Sequence, residues 1–474
     1  MDGLRPLPGP LRAAVIACVL LIALLPAMAV GQARRPHKRS QDTQRLDVHQ
    51  AVAIAVARNL RMADSRLAVR EKEHQRREAY SDFFPTLDAQ YTASTSKYGQ
   101  GSQIAALTGI HPGRWTVRGD PPFNGMLPDY PYRIDPFRFF TLSATLTQPL
   151  YTGGRLLSDY KYARLGVDYS AIQFEVDRQD LIMDVHEAYY QLVQSYKLLE
   201  VAEDSVRALQ ALRNQTTEFY KAGVVPKVDV LSTEGQLAQA YIQRTQAQTD
   251  IERYKATLSF LLRYPQETPI EVVLDLSWQP PPYKIPEIYA TAAANRLEIR
   301  QANISVAQAM ALVKSSNADL LPNVSLQVQG MRFNDDWNPF DPEAGNDWQI
   351  QGLLTWTFDL FRRRETVKER RASQARAFVA REQLVEQVME EVKFAYIDMK
   401  RSESDIENNR KAVEFRRENF RINQERYKEQ VATYIEVLDA QRQLALAQGN
   451  YYISIMGYKI NRALLERRMG ILRN

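Results

Sequence analysis

The chain has 474 residues, 45% of them hydrophobic and 25% charged, a balance that excludes a disordered polymer and leaves room for two or three ordinary domains or one elongated structure. The net charge of +5 is the difference between 61 bases and 56 acids, interleaved in runs such as EKEHQRRE and RRRETVKERR. Such interleaving marks solvated helix faces, and no RNP, zinc-finger or basic-zipper pattern accompanies it, so nucleic acid is not an expected partner.

The N-terminus reads as an export signal. Arg5 and Arg12 precede the apolar run AAVIACVLLIALLPAMAV, which closes on Pro26 and the small residues Ala27 and Ala29. This pattern predicts a signal peptide over 1–29; a single membrane anchor is the alternative, which the length barely allows. Cys18, the only cysteine, lies inside that run. Val15-Ile16-Ala17-Cys18 weakly resembles a lipoprotein box, but twelve mostly apolar residues follow, so it reads as part of the apolar core. A mature chain without cysteine forms no disulfide or thiolate metal site. After 30–45, the pattern predicts a helix over 46–84, strands over 86–96 and 140–150, a very long helix over 154–221 and a shorter one over 227–262.

YPQETPIEVVLDLSWQPPPYKIP, with five prolines and no periodicity, reads as a hinge, placing an equatorial linker over 264–285. The same order then recurs: helix 286–320, strands 323–333 and 348–358, long helix 361–429 and shorter helix 433–468. The recurrence is visible in the residues. VLSTEGQLAQA at 230–240 echoes VLDAQRQLALA at 437–447, and Tyr220 and Tyr427 keep the same separation of 207. SDFFPTLDAQY at 81–91 echoes ADLLPNVSLQV at 318–328, with Pro85 and Pro322 separated by 237. The repeats therefore span 46–263 and 286–474, and their length difference falls in the connection 97–139.

Within the long helices, Leu181, Val185, Ala188, Leu192, Ser195, Leu199, Ala202, Val206 and Leu209 step by four and three, as do Val388, Val392, Ala395, Met399, Ser402, Ile406, Asn409 and Val413. That period predicts left-handed supercoiling, with the more polar second seam less tightly packed. In the strands, Leu87, Ala89, Tyr91 and Ala93 oppose Asp88, Gln90 and Thr92, while Leu142, Ala144 and Leu146, and Leu354, Trp356 and Phe358, form similar apolar faces. About ten residues with one apolar face suit a membrane-barrel strand, and a globular sheet gives the same pattern. Four strands close no barrel and lipid tolerates no open edge, so a barrel must be shared; three chains give twelve strands.

These stretches resemble the TolC-type outer-membrane efflux protein family. QPLYTGGRL (148–156) is similar to its strand-to-helix signature and FFPTLDAQY to its first strand entry. YKAGVVPKVDVLSTEGQLAQA and RYKEQVATYIEVLDAQRQLALA are similar to its two hairpin tips, and LDVHQAVAIAVARNLRM to its start. The resemblance covers essentially the mature chain. It implies an α+β membrane protein: a homotrimer whose 12-stranded β-barrel, four strands per chain, continues into a long α-helical coiled-coil tunnel. It places the barrel in the outer-membrane lipid of a Gram-negative bacterium and most of the chain in the periplasm. Its partners would be a periplasmic adaptor (membrane fusion) protein and an inner-membrane pump of RND, ABC or MFS type. The tunnel would passively conduct drugs, toxic compounds or secreted proteins, with no cofactor.

The resemblance also assigns residues. Glu436 and Asp439, three apart and so on one helix face, match an acidic periplasmic constriction. Tyr427 matches a tyrosine that holds the tip closed, with Asp229 as partner; the family's arginine falls at Ala432. Gly223, Val224 and Val225 form the adaptor-contacting tip, where the second copy has Gln430. Pro85, Pro149, Gly153, Gly154 and Pro322 make the strand–helix turns, where the second repeat has Leu360-Phe361. Simple turns and solvated acids are the competing readings of these positions.

An enzyme is not expected. His37, His49, His74, His111 and His186 are scattered without HExxH spacing, and no Walker loop, complete dinucleotide fingerprint or nucleophile elbow occurs. The RGD at 118–120 reads as a chance tripeptide. A structural periplasmic coiled coil or adaptor without a pore remains the alternative, distinguished by its lack of a duplicated strand–loop–strand unit.

Overall fold

A computed structural model describes residues 45–96, 137–280, 283–334, 337–338, 341–342 and 344–473. The expected signal peptide, Cys18, the RGD and nearly all of the connection 97–139 lie outside these residues. The described elements run β1 (Arg45–Leu46), α1 (Val48–Arg58), α2 (Leu60–Ser81), β2 (Thr86–Ser96), β3 (Phe137–Tyr151), α3 (Arg155–Lys221) and α4 (Lys227–Leu262) in the first repeat. β4 (Glu271–Val272) lies in the connector, followed by α5 (Ile285–Asn295), α6 (Leu297–Ala318), β5 (Asn323–Asn334), β6 (Gly345–Thr355), α7 (Leu360–Lys428) and α8 (Tyr434–Arg468).

Three expectations need correction. The helices expected over 46–84 and 286–320 each break in two. Asn59 and Arg296, again 237 apart, take extended backbone with ψ of 139° and 119°. Asn59 competes with helix continuation: its Oδ1 accepts from Arg61 N–H at 2.9 Å and its Nδ2 donates to the Leu261 carbonyl at 2.9 Å. The last strand lies at Gly345–Thr355, three residues earlier than expected, so Trp356 and Phe358 follow it. Their rings pack 4.4 Å apart, and Trp356 Nε1 donates to the Leu320 carbonyl at the end of the neighbouring helix.

The connector is a packed strap and not a free hinge. β4 pairs in parallel with β1, and Ile270 and Val272 are buried. The Tyr189 hydroxyl lies 3.0 Å from the carbonyl oxygens of both Leu46 and Val273. Tyr458 donates to the Gln279 carbonyl at 2.7 Å, and Lys459 pairs with Asp275 at 2.8 Å. The apolar side chains on either side of its prolines supply this anchorage, a signal that the proline count obscured.

At ~1.5 Å per residue, the 67 residues of α3 and 69 of α7 each extend on the order of 100 Å. Heptad positions Leu181, Val185, Ala188 and Leu192 of α3 and Val388, Val392, Met399 and Ile406 of α7 are buried in one core with Leu258, Ile455 and Leu465. Smaller clusters follow towards the helix ends: Val206, Leu209, Leu237 and Ala240, then Leu212, Tyr427 and Val437. Among the described residues no helix is long and apolar enough to cross a membrane.

Candidate channel wall and hairpin tips

The strands form one antiparallel sheet in the order β2-β3-β5-β6. Its register sorts the side chains by face, because successive residues point to opposite sides. Asp88, Thr145, Gln329 and Gln349 form one row across all four strands, and Thr86, Thr147, Gln327 and Gln351 the next. Gln349 and Gln351 donate to Gln329 and Gln327 at 2.6 and 2.9 Å. On the opposite face run Leu87, Leu146, Val328 and Ile350, then Ala89, Ala144, Gly330 and Trp348. That face is bare in the single chain, with Leu87 69% and Trp348 73% exposed. β2 and β6 each leave one edge unpaired within the sheet.

Pro85 and Pro322 stand directly before β2 and β5, four residues after the last helical residue. In both repeats the intervening turn uses the same bonds: Phe83 and Phe84 N–H to Tyr80 and Ser81, and Leu320 and Leu321 N–H to Asn317 and Ala318. Gly153 and Gly154 turn the chain into α3 with φ of +62° and +88°, a region that L side chains rarely adopt. The second repeat turns without glycine: Asp359 caps α7, its Oδ1 accepting from Arg362 N–H at 3.4 Å. Pro149 is not in the turn. It pairs with Ser325 inside β3, and the ladder shifts register between Pro149 and Tyr151 because proline has no N–H to donate.

The hairpin tips are built alike despite their sequences. Gly223 has φ +75° and Gln430 φ +59°. Gly223 and Val224 N–H donate to Tyr220 and Phe219; Gln430 and Val431 N–H donate to Tyr427 and Arg426. Each bonding residue in the second tip lies 207 after its counterpart, so both helices end in the same paired-carbonyl cap.

The family model for outer membrane efflux proteins matches residues 51–262 and 288–453. The chain belongs to the outer membrane efflux protein family. Nodulation protein T of Rhizobium leguminosarum bv. viciae is 23% identical over 327 residues, which are 66% of this chain and 66% of that protein. This chain thus spans about two thirds of that relative's length. The solved structure of CusC, described as undergoing transmembrane channel formation, has a TM-score of 0.73 at 18% identity, covering 94% of this chain and 97% of that one. The Campylobacter jejuni CmeC outer membrane channel has a TM-score of 0.71 at 16% identity, covering 93% and 90%. These likenesses show that the efflux-family chain has the fold of those channels.

Within that fold, Glu436 and Asp439 occupy the first two turns of α8, and each has a basic neighbour. Glu436 accepts from Thr433 N–H at 3.2 Å and lies 3.6 Å from Arg426; Asp439 pairs with Arg442 at 2.6 Å. The i,i+3 spacing of Asp439 and Arg442 was readable in the sequence, whereas the pairing across the tip to Arg426 was not. Tyr427 is buried, and its hydroxyl shares a 3.1 Å hydrogen bond with Thr216 of α3. Burial raises its pKa above the ordinary 10, Thr216 opposes that shift, and the charge of Asp229 adds to it. Asp229 lies in the first turn of α4, and Gly223 and Val224 are exposed at the tip. A second crossing went unforeseen: Gln441 of α8 donates to Ser205 of α3 at 2.5 Å, both buried. Ser205 and Gln441 occupy helix faces whose polarity alone does not reveal a partner on another helix.

Proposed function

We propose that three copies of this chain form an outer-membrane efflux channel. The observation that carries the reading is the sheet: polar rows cross all four strands on one face, apolar rows cross the other, and both edges are open. In lipid each unpaired backbone group costs several kcal/mol, so β6 of one copy must pair with β2 of the next. An eight-stranded barrel is filled by its own side chains, whereas twelve strands leave a lumen for the glutamine rows. Three is also the number implied by the TolC-type resemblance. The helices support the same closure: α3 packs along both α2 and α6, while α7 packs along α6 and leaves the place of α2 to a neighbouring copy.

In this reading the long helices form a periplasmic tunnel that conducts passively. An adaptor docks at the Gly223, Val224 and Val225 tip, and an inner-membrane pump of RND, ABC or MFS type supplies the energy. Glu436 and Asp439 line the narrowing, and Tyr427 holds it closed. The cargo class is small molecules or secreted proteins, selected by the pump. Reconstitution in planar bilayers tests the proposal: the purified protein should run as a trimer and give discrete conductance steps. A monomer that leaves the bilayer silent would count decisively against it.

A further inference from the structure

Phe361 is 91% exposed in the first turn of α7, directly after the apolar residues Leu354, Trp356 and Phe358 at the end of the sheet. Arg364, Lys368 and Arg371 follow it at i+3, i+7 and i+10, so all four lie along one stripe, and all are exposed. Lys368 pairs with Glu365 at 2.6 Å, while Arg364 and Arg371 have no ionic or hydrogen-bond partner among the described residues. The first repeat carries a related stripe. Leu157, Lys161 and Arg164, each 207 before Arg364, Lys368 and Arg371, are exposed, and the two bases are likewise unpaired among the described residues.

A neighbouring copy would leave Phe361 uncovered, as the first repeat indicates. A Cβ on Gly153, the counterpart of Leu360, would meet the Ala318 carbonyl at 2.7 Å; one on Gly154, the counterpart of Phe361, would have nothing within 4 Å. The same level carries an aromatic cluster, Tyr80, Phe83, Phe84 and Tyr160, with ring centroids 5.3–6.3 Å apart. Aromatic residues followed by bases mark a membrane–water boundary. Helical side chains tilt towards the helix N-terminus, which here is the sheet end, and so carry the guanidinium groups back to that boundary.

We infer that the stripe Phe361, Arg364, Lys368 and Arg371 is a phospholipid-binding surface, with Phe361 among the acyl chains and the bases on anionic headgroups of the periplasm-facing leaflet. This rests on the channel reading. Phe361 to Arg371 spans ~15 Å of helix, so Arg364 lies within the headgroup layer and the lower bases bind through their reach and charge. The second repeat thereby replaces the glycine turn with an anchor, which accounts for the departure at Leu360-Phe361.

The test uses the full chain reconstituted in phosphatidylglycerol or phosphatidylcholine bilayers. After detergent extraction, the parent should retain phosphatidylglycerol in preference, and Arg364→Gln with Arg371→Gln should lower that preference about fivefold for each base. Equal retention of the two lipids by the parent overturns the inference. So does loss of the preference in millimolar inorganic phosphate beyond that in chloride of equal ionic strength, which would mark a free-phosphate site. In a Cys18→Ser background, a fluorophore on Phe361→Cys should be quenched by brominated acyl chains, as should one on Ile350→Cys of the sheet. Quenching at 350 alone means that a protein surface covers 361 and the inference fails; no quenching at either means that the channel reading itself fails.

Discussion

Gly153 lies so close to Ala318 that a Cβ on it would stand 2.7 Å from the Ala318 carbonyl oxygen and 2.9 Å from Leu321 Cβ. The strand-to-helix turn of the first repeat is thus packed against the helix end of the second. Gly153→Ala should lose roughly 1–2 kcal/mol for its left-handed backbone and more for displacing α6. Gly154→Ala should lose only the backbone part, since nothing stands within 4 Å of it. Denaturant midpoints of the two variants check this: equal shifts would show that the approach to Ala318 carries no energy.

Four of the six left-handed positions among the described residues form pairs 207 apart: Gly223 with Gln430, and Arg263 with Gly470, at φ of +75°, +59°, +56° and +72°. Each pair keeps one glycine and strains one longer residue. Gln430→Gly and Arg263→Gly should therefore each stabilise the protein by about 1 kcal/mol, the relieved strain exceeding the added freedom of the unfolded chain. Gly470→Ala should cost more than Gly223→Ala, because its Cβ would meet Asn295 at 2.8 Å whereas Gly223 is open. Thermal unfolding of the four variants ranks them.

The repeat was legible because both copies must bury the same faces. The separations of 207 and 237 found in a few matching residues turned out to index hydrogen bonds throughout the turns. The four strands were legible through their alternation, and the register then sorted Gln327 and Gln329 from Val328. What escaped depends on tertiary partners. Asn59 ends a helix because the Leu261 carbonyl awaits its amide, and Arg296 does so amid Glu298, Glu391 and the Arg467 carbonyl. Gln430 signalled its positive φ only through its place opposite Gly223, since glutamine itself signals a helix and the tip's hydrogen bonds demand the turn. The ion pairing of the tip carboxylates was half legible: the spacing of Asp439 and Arg442 was visible, and the approach of Arg426 to Glu436 was not.

His186 supplies a pH dependence. It is 9% exposed beside a cavity of about 340 Å³, and its Nδ1 has no hydrogen-bond partner among the described residues. Burial, with help from His49, lowers its pKa from 6.5 to about 4. As pH falls through 6.5 the unfolded chain takes up a proton that the folded chain refuses until about 4, so stability falls across that window. The full loss is on the order of 3 kcal/mol. Urea midpoints of the parent at pH 7 and pH 4.5 should differ accordingly, and His186→Gln should remove most of the difference. An unchanged difference in the variant assigns the acid sensitivity to other groups.

The bonds Thr216–Tyr427 and Ser205–Gln441 tie α3 to the second hairpin at two levels. Tyr427→Phe should cost about 1 kcal/mol, because Thr216 keeps its bond to the Leu212 carbonyl. Ser205→Ala leaves the Gln441 amide buried without its acceptor and should cost up to about 3 kcal/mol. If these bonds hold the tunnel end closed, both variants raise single-channel conductance, and the pair together raises it further. Conductance at the parent value in all three would make the bonds structural only.

Asp439 and Arg442 form a 2.6 Å ion pair one turn below the Glu436 that Arg426 approaches, so a narrowing built from three tips would carry six carboxylates with bases beside each. A ring of carboxylates attracts cations, and adjacent guanidinium groups reduce that attraction. Glu436→Ala with Asp439→Ala should therefore weaken block by divalent cations, whereas Arg442→Ala should strengthen it by freeing the Asp439 carboxylate. The two variants must move the blocking concentration in opposite directions. Shifts of the same sign would mean that the acids do not face the conduction path, because removing a base and removing an acid could then act only through the packing of the tip.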